Sequence, residues 1–255
     1  MYTFLNSNKA APLQESLWNI FKLSLKQGVP RYLIDVLGKY RYKLSKSNFN
    51  EKKIKEIFKE IYKTNYWKNS ETVSGPGSTL QSASTLIPEL TKLFSIYDIH
   101  SMIDVPCGDF NWMQKADLQS IHYLGMDIVD EIILANTQNF ESKNIKFKMA
   151  DITTDPLPAA DLVFCRDCLV HFSYHEIDKT LVNIKKSGTR YLMTTSFQVP
   201  VLNYDIHTGD WRPINLERPP FNFPPPLYLI NDSSPEYLIK NNLKKILGLW
   251  KIADL

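Results

Sequence analysis

The stretch Ser101-Met-Ile-Asp-Val-Pro-Cys-Gly-Asp-Phe-Asn-Trp112 decides the fold of this chain. Its residues 102–105, of which three are apolar, predict a buried parallel strand, which Pro106 ends. Gly108 then frees the backbone to approach a ligand closely. Ligands of open α/β sheets bind outside the carboxyl ends of the strands, so Asp109 is placed where it can meet one. A carboxylate in this turn disfavours polyphosphates and suits a ligand that carries an amine.

Short apolar runs alternate with helical periodicity after this stretch. The predicted strands are 102–105, 122–127, 145–150, 161–165, 190–195, 227–230 and 247–252. The predicted helices between them are 129–139 and 174–186, with a short helix or turn over 110–118. This alternation indicates βαβ units. The predicted fold is therefore α/β, a doubly wound and mostly parallel seven-stranded sheet of the Rossmann-like kind, with an antiparallel strand at its edge.

The chain before this sheet is predicted to be helical. Apolar residues at helical spacing predict helices over 12–27, 31–44 and 51–62, followed by a loop and a helix from about 80 to 94. We interpret residues 1–66 as a helical N-terminal extension or lid and residues 67–255 as the main domain.

Charge is distributed unevenly along the 255 residues, whose net charge is +3. Residues 1–68 hold 14 Lys and Arg against 5 Asp and Glu, a balance of +9, so the remaining 16 and 22 give −6. A basic arm of this kind suits nucleic acid, an anionic membrane or a phosphorylated substrate. A solvated face of lysine-rich helices is the favoured interpretation, so nucleic acid is not the expected partner.

Composition also indicates the cellular compartment in which the protein is expected. No apolar run approaches a membrane span, and the N-terminus lacks the pattern of a signal peptide. Three cysteines without such a signal indicate reduced thiols in a cytoplasmic protein. Cys165 and Cys168 have CxxC spacing, but there is no second pair to complete a zinc site.

Three acids follow successive predicted strands: Asp109, Asp127 and Asp151. An acid after the second strand can accept both ribose hydroxyls of a nucleoside, and the next one can accept an adenine amino group. NAD is disfavoured because the turn at Gly108 lacks the G-x-G-x-x-G pattern. The three acids together predict a nucleoside site.

Asp104-x-x-x-Gly108, Asp127, Asp151 and the stretch 161–166 (Asp-Leu-Val-Phe-Cys-Arg) resemble the class I S-adenosylmethionine (SAM)-dependent methyltransferases. Further segments resemble one bacterial subgroup of these enzymes: Ser-Gly-Pro-Gly-Ser78, Asp104-Val-Pro-Cys-Gly-Asp-Phe-Asn-Trp-Met113, Cys165-Arg-Asp-Cys-Leu-Val-His-Phe172 and Gly209-Asp-Trp-Arg-Pro213. Some members resemble enzymes found with surface-polysaccharide assembly genes, including those that methylate capsular phosphoramidate.

The resemblance implies SAM as the cofactor and assigns residues to it. The methionine portion would be held by Asp104, Cys107, Gly108 and Asp109; the ribose by Asp127 with Ile128; and the adenine by Asp151 and Ile152. Arg166 and Asp167 would face the methyl group and the substrate, and Trp67 and Ser78 would close over the amino-acid end.

His171 and Asp167 are the predicted catalytic residues, since a hydroxyl acceptor is helped by a general base within hydrogen-bond reach. A structural histidine is the alternative. The predicted substrate-binding residues are Asn111, Trp112, Asp210, Trp211 and Arg212; Arg212 either clamps an anionic group or satisfies backbone carbonyls. A metal held by Asp167, His171 and Asp210 is the weaker interpretation, so no metal is predicted.

The sequence thus predicts a cytoplasmic SAM-dependent methyltransferase that acts on a small-molecule or glycan-linked polar acceptor, at oxygen. One rival is an RNA methyltransferase that uses the basic arm for phosphates. The other is a catalytically silent SAM-binding scaffold. The oligomeric state is not predicted.

Overall fold

A computed structural model describes residues 52–198, 203–233 and 244–255, which lie within one compact unit, Phe49–Leu255. The helices predicted over 12–27 and 31–44 fall outside the described residues. The helix predicted over 51–62 is present as Ile54–Lys63 and belongs to the same unit as the sheet. The division of the chain at residue 66 stays a prediction.

Five α-helices and seven strands are described. The helices are α1 (Ile54–Lys63), α2 (Leu80–Ala83), α3 (Leu86–Ile96), α4 (Asp130–Phe140) and α5 (Tyr174–Lys186). The strands are β1 (Ser101–Asp104), β2 (His122–Asp127), β3 (Ile145–Met149), β4 (Leu162–Cys165), β5 (Tyr191–Phe197), β6 (Tyr228–Asn231) and β7 (Lys245–Lys251). None of the described helices is long and apolar enough to cross a membrane.

The strands form one sheet in the order β3-β2-β1-β4-β5-β7-β6. Strands β1 to β5 pair in parallel, whereas β7 runs antiparallel to both β5 and β6. The predicted seven-stranded, mostly parallel sheet is confirmed. The strand order reverses between β1 and β4, and such a switch point opens a crevice at the carboxyl ends of the strands.

Both faces of the sheet are buried, because successive side chains of a strand point to opposite faces. On one face, Ile103 and Val163 pack with Ile177 of α5. On the other face, Met102 and Phe164 pack with α3. These two apolar layers hold the central strands in place and so determine where their carboxyl ends meet.

The helix predicted from about 80 to 94 is two helices, α2 and α3, which break at Ser84 and Thr85. The reason is Pro88, which has no N–H to donate to the carbonyl of Ser84 and is tolerated only in a first helical turn. The second helix therefore begins at Leu86, with Pro88 in its first turn.

Candidate functional site

A pocket opens at the carboxyl ends of β1 to β4, at the switch point of the sheet. It brings together thirteen of the residues predicted from the sequence: Trp67, Ser78, Asp104, Cys107, Gly108, Trp112, Asp127, Ile128, Asp151, Ile152, Arg166, Asp167 and His171. These residues come from four strand ends and from the loop before α2, so the fold alone gathers them. The predicted acids Asp127 and Asp151 share this pocket.

Gly108 lies where the loop before α2 touches the turn after β1. Its φ is +55°, and a Cβ at this position would lie 2.3 Å from the Ser74 hydroxyl oxygen. Only glycine fits such a close approach in the left-handed region. The turn and the loop therefore form one continuous wall of the pocket.

Asp104 and Asp127 are buried carboxyls in the pocket wall, 3% and 5% exposed. Burial raises the pKa of Asp104 to about 7, although the Tyr123 hydroxyl donates to it at 2.7 Å. Burial likewise raises the pKa of Asp127 to about 6, against hydrogen bonds from the N–H groups of Gly108 (3.1 Å) and Val129 (3.0 Å). Water is excluded here, so a ligand that donates hydrogen bonds to these oxygens would gain from them.

Asp151 lies beyond β3. Its Oδ1 accepts hydrogen bonds from the backbone N–H and the hydroxyl of Thr153, at 2.8 and 2.6 Å. These bonds orient the carboxylate beside Ile152, which is buried in the same wall.

Four charges alternate beside the pocket: Arg166, Asp232, Lys245 and Asp167. Arg166 donates to both oxygens of Asp232, from Nε at 2.9 Å and from Nη2 at 2.8 Å. Lys245 Nζ lies 2.8 Å from Asp232 and 2.6 Å from Asp167. Burial opposes ionisation of Asp167, but Lys245 and Arg166 hold its pKa below the ordinary range. Asp167 is therefore an ionised carboxylate at the pocket, with a left-handed φ of +54°.

Sequence reasoning did not identify Asp232 or Lys245. They lie 66 and 78 residues from their partners, and no local pattern marks them. The antiparallel pairing of β7 with β5 and of β6 with β7 brings both to the turn after β4.

His171 lies in the pocket wall, where burial lowers its pKa to about 4. Its Nδ1 is 2.9 Å from the backbone carbonyl of Asp210. A carbonyl only accepts, so the proton is on Nδ1 and Nε2 keeps its lone pair. The ring of Trp67 lies 4.7 Å from the imidazole, centroid to centroid, so the side chain is held from two sides.

Five predicted residues lie away from the pocket wall: Asp109, Asn111, Asp210, Trp211 and Arg212. Asp109 binds the loop before α2, and Asn111 donates to Glu71 and to the carbonyl of Ser78. Asp210 meets His171 through its backbone carbonyl, and Trp211 packs its ring edge-on to Phe197.

Arg212 cannot clamp a ligand, because it is fully buried. Its Nη1 donates to the carbonyls of Leu169 (3.0 Å) and Val170 (3.3 Å), and its guanidinium lies over the Tyr174 ring. This corrects the predicted binding role in favour of the alternative, an arginine that holds the turn after β4. The turn it holds carries His171.

Helix α1 adds an apolar wall that the sequence did not assign to the pocket. Ile54, Phe58, Ile61 and Tyr62 face into it, while Lys59 binds Asp130 at the start of α4, at 3.0 Å. The amphipathic pattern of α1 predicted a buried face, but it could not tell what that face covers.

The three cysteines are free and buried. Burial raises the pKa of the Cys107 and Cys168 thiols, which line the pocket as neutral groups. Within residues 52–198, 203–233 and 244–255, no three His, Cys, Asp or Glu side chains gather as metal ligands.

Comparison with known proteins identifies the class of this domain. Residues 103–188, from β1 to the end of α5, match a family model described as a methyltransferase domain. No curated protein sequence matches the chain.

Solved structures share the fold at low identity. Magnesium protoporphyrin IX methyltransferase (ChlM) from Synechocystis PCC 6803 with bound SAM is 13% identical, with a TM-score of 0.54 over 78% of this chain and 98% of that chain. Human N-acetylserotonin methyltransferase in complex with SAM is 14% identical, with a TM-score of 0.52 over 91% of this chain and 66% of that chain.

This chain carries a methyltransferase domain over residues 103–188 and shares its fold with SAM-bound methyltransferases. It is an enzyme, and its cofactor is SAM.

Cofactor binding should weaken at acidic pH, because the pKa of Asp127 is raised to about 6. A protonated carboxyl accepts ribose hydroxyls poorly, so the Kd for SAM should rise about tenfold per pH unit below that value. The same raised pKa has the opposite effect on the stability of the ligand-free protein. The contribution of Asp127 to stability falls as pH rises from about 4 to 6, because its carboxyl binds more protons in the folded state than in the unfolded chain over that range.

Isothermal titration of SAM at pH 5, 6 and 7.5 checks this prediction. Asp127→Asn, which cannot titrate, should bind SAM with a flatter pH dependence. A wild-type Kd that stays constant from pH 5 to 7.5 would contradict it.

Proposed function

We propose that the enzyme transfers the methyl group of SAM to a hydroxyl of a polar small molecule or a glycan-linked acceptor, with His171 as the general base. The observation that carries the proposal is the 2.9 Å contact between His171 Nδ1 and the backbone carbonyl of Asp210. His171 Nδ1 donates to that carbonyl, so Nε2 is an unprotonated acceptor at the pocket wall. A proton leaving an acceptor hydroxyl would move to Nε2.

The pocket fits SAM by the chemistry of its walls. Asp127 would accept the ribose hydroxyls, and Asp151 would accept the adenine amino group. Ile128, Ala150 and Ile152 supply the apolar surface that a purine needs. The methionine portion would lie toward Gly108 and Ser78. When bound, SAM supplies an electrophilic methyl group on a sulfonium.

The chain's own residues would orient the acceptor. Trp67 and Phe172 line the pocket around His171 and offer flat apolar surface, against which a sugar or other ring can lie. Asp167, kept ionised by Lys245 and Arg166, would accept a second hydroxyl. Holding the hydroxyl in line with the methyl group accounts for much of the rate enhancement in such a displacement.

A polar ring with several hydroxyls fits this combination of flat surface and acceptor atoms. A glycan or a glycan-linked phosphoramidate carries such a ring, which is in keeping with the sequence resemblance. The RNA alternative depends on the basic N-terminal arm. Most of that arm lies outside the described residues, and no observation favours it.

His171→Asn tests the role of the base. The asparagine amide can still donate to the Asp210 carbonyl, but the acceptor at Nε2 is lost. We expect kcat to fall by about 10² to 10⁴, while the Kd for SAM stays within about twofold. Transfer is measured with methyl-labelled SAM on matched panels of sugar, phenol, amine and carboxylate acceptors.

His175→Asn is the matched control, since His175 is an exposed residue of α5, and it should leave kcat unchanged. Transfer only to amines or carboxylates would overturn the hydroxyl acceptor. An unchanged kcat in His171→Asn would overturn the assignment of His171 as the general base.

A further inference from the structure

Asp109 makes an unusually complete set of hydrogen bonds for a residue outside the pocket wall. Its carboxylate accepts from the Thr72 hydroxyl at 2.7 and 2.9 Å, from the Val73 N–H at 3.0 Å and from the Ser74 hydroxyl at 3.0 Å. Its own N–H donates to the Ser74 oxygen at 3.1 Å. Thr72 is 3% exposed, so this contact is shielded from water.

The segment that Asp109 holds, residues 72–74, is part of the pocket. Val73 and Ser74 both line it, and Ser74 presses against Gly108 so closely that no Cβ would fit. The hydrogen bonds of Asp109 therefore fix the position of two wall residues.

Two further side chains hold the rest of the same loop. Asn111 donates to Glu71 at 2.8 Å and to the Ser78 carbonyl at 3.1 Å. Arg166 donates to the Gly77 carbonyl at 2.9 Å. These bonds act farther along the loop, at Glu71 and residues 77–78. Residues 72–74 are bound by the side chain of Asp109, and the Asn69 side-chain oxygen also accepts from the Thr72 N–H at 3.1 Å.

We infer that Asp109 is a positioning residue that builds the wall for the amino-acid end of the cofactor. This rests on the proposed arrangement, in which Asp127 and Asp151 take the adenosine portion and leave the turn at Gly108 for the methionine portion. Asp109 acts through Val73 and Ser74 and does not touch the ligand. It gives the enzyme its preference for ligands that carry the amino-acid group.

The inference predicts a selective loss of affinity. S-adenosylhomocysteine carries the amino-acid end, whereas 5′-methylthioadenosine has the same adenosyl thioether without it. In Asp109→Ala, the Kd for S-adenosylhomocysteine should rise at least about tenfold, while the Kd for methylthioadenosine should change less than about twofold. Isothermal titration of both ligands against the full chain measures this difference.

Three variants make the test robust. Asp117→Asn, an exposed acid later in the same connection, should alter neither Kd. Thr72→Val and Ser74→Ala each remove one donor to Asp109 and should weaken S-adenosylhomocysteine selectively and to a smaller degree. They serve as the test if Asp109→Ala does not fold.

Equal weakening of both ligands would overturn the inference, because a general structural defect lowers both affinities. Unchanged affinity for both would overturn it as well. Neither result depends on an acceptor or on His171, so the inference can fail while the proposed methyl transfer stands. If wild-type protein discriminates between the two ligands but the His171 variant keeps its rate, only the proposed base fails.

Discussion

Asp232→Ala should destabilise the protein by about 3–5 kcal/mol, the range for removing one partner of a buried ion pair. The Asp232 side chain is fully buried, accepts hydrogen bonds from Nε and Nη2 of Arg166, and lies 2.8 Å from Lys245 Nζ. Without it, the Arg166 guanidinium remains buried, and its remaining salt bridge is to Asp167, 3.7 Å away. The free energy of unfolding in urea measures the loss.

Asp178→Asn is the control, since Asp178 is exposed on α5 and should change stability by less than about 0.5 kcal/mol. Replacing both members of the pair, as Arg166→Met with Asp232→Leu, should recover part of the lost stability, because no buried charge is then unpaired. A loss below about 1 kcal/mol in Asp232→Ala would show that this ion pair is not structurally important.

Asp127→Ala should weaken SAM binding by about 100-fold or more. Each hydrogen bond from a ribose hydroxyl to a buried carboxylate contributes about 1.5–3 kcal/mol, and 1.4 kcal/mol corresponds to a factor of ten in affinity. Asp127→Asn keeps the shape and one acceptor oxygen, so its loss should be smaller. Isothermal titration with SAM compares the two variants with wild type.

The backbone contacts of Asp127 require a folding control, since its carboxylate also accepts from the N–H groups of Gly108 and Val129. Thermal unfolding at pH 8 should show that both variants fold. Their loss of stability should be limited, because each substitution also removes a buried charge. Asp117→Asn should bind SAM like wild type. If a folded Asp127→Ala bound SAM within threefold of wild type, the ribose assignment would be wrong.

The central sheet could be predicted because its signals are local. Apolar runs such as Leu162–Cys165 form buried strands wherever helices cover both faces. The acids that follow the strands lie at one edge of the sheet once the strands are parallel. The predicted pocket residues Asp127, Asp151 and His171 were found in this way. Boundaries were less predictable, as the break between α2 and α3 at Pro88 illustrates.

Asp109 and Arg212 show why the direction in which a side chain points could not be predicted from the sequence. Asp109 follows β1 as Asp127 follows β2, yet it turns to residues 72–74 and not into the pocket. Arg212 has the chemistry of an anion clamp, yet it is buried against the carbonyls of Leu169 and Val170. In both cases the side chain binds hydrogen-bond partners that are distant in sequence, and local sequence patterns do not predict such partners.

The sequence by itself determined the fold class of this protein: the parallel sheet, the turn at Gly108 and the acids after successive strands follow from periodicity and residue type, whereas the methyltransferase class came from the resemblance of its motifs. The tertiary structure decided how the site is held. Asp232 and Lys245 reach Arg166 and Asp167 only because β7 runs antiparallel beside β5, and the loop before α2 closes only because Asp109 meets it. Local patterns encode elements and strand ends, whereas buried polar groups find partners through packing between distant segments.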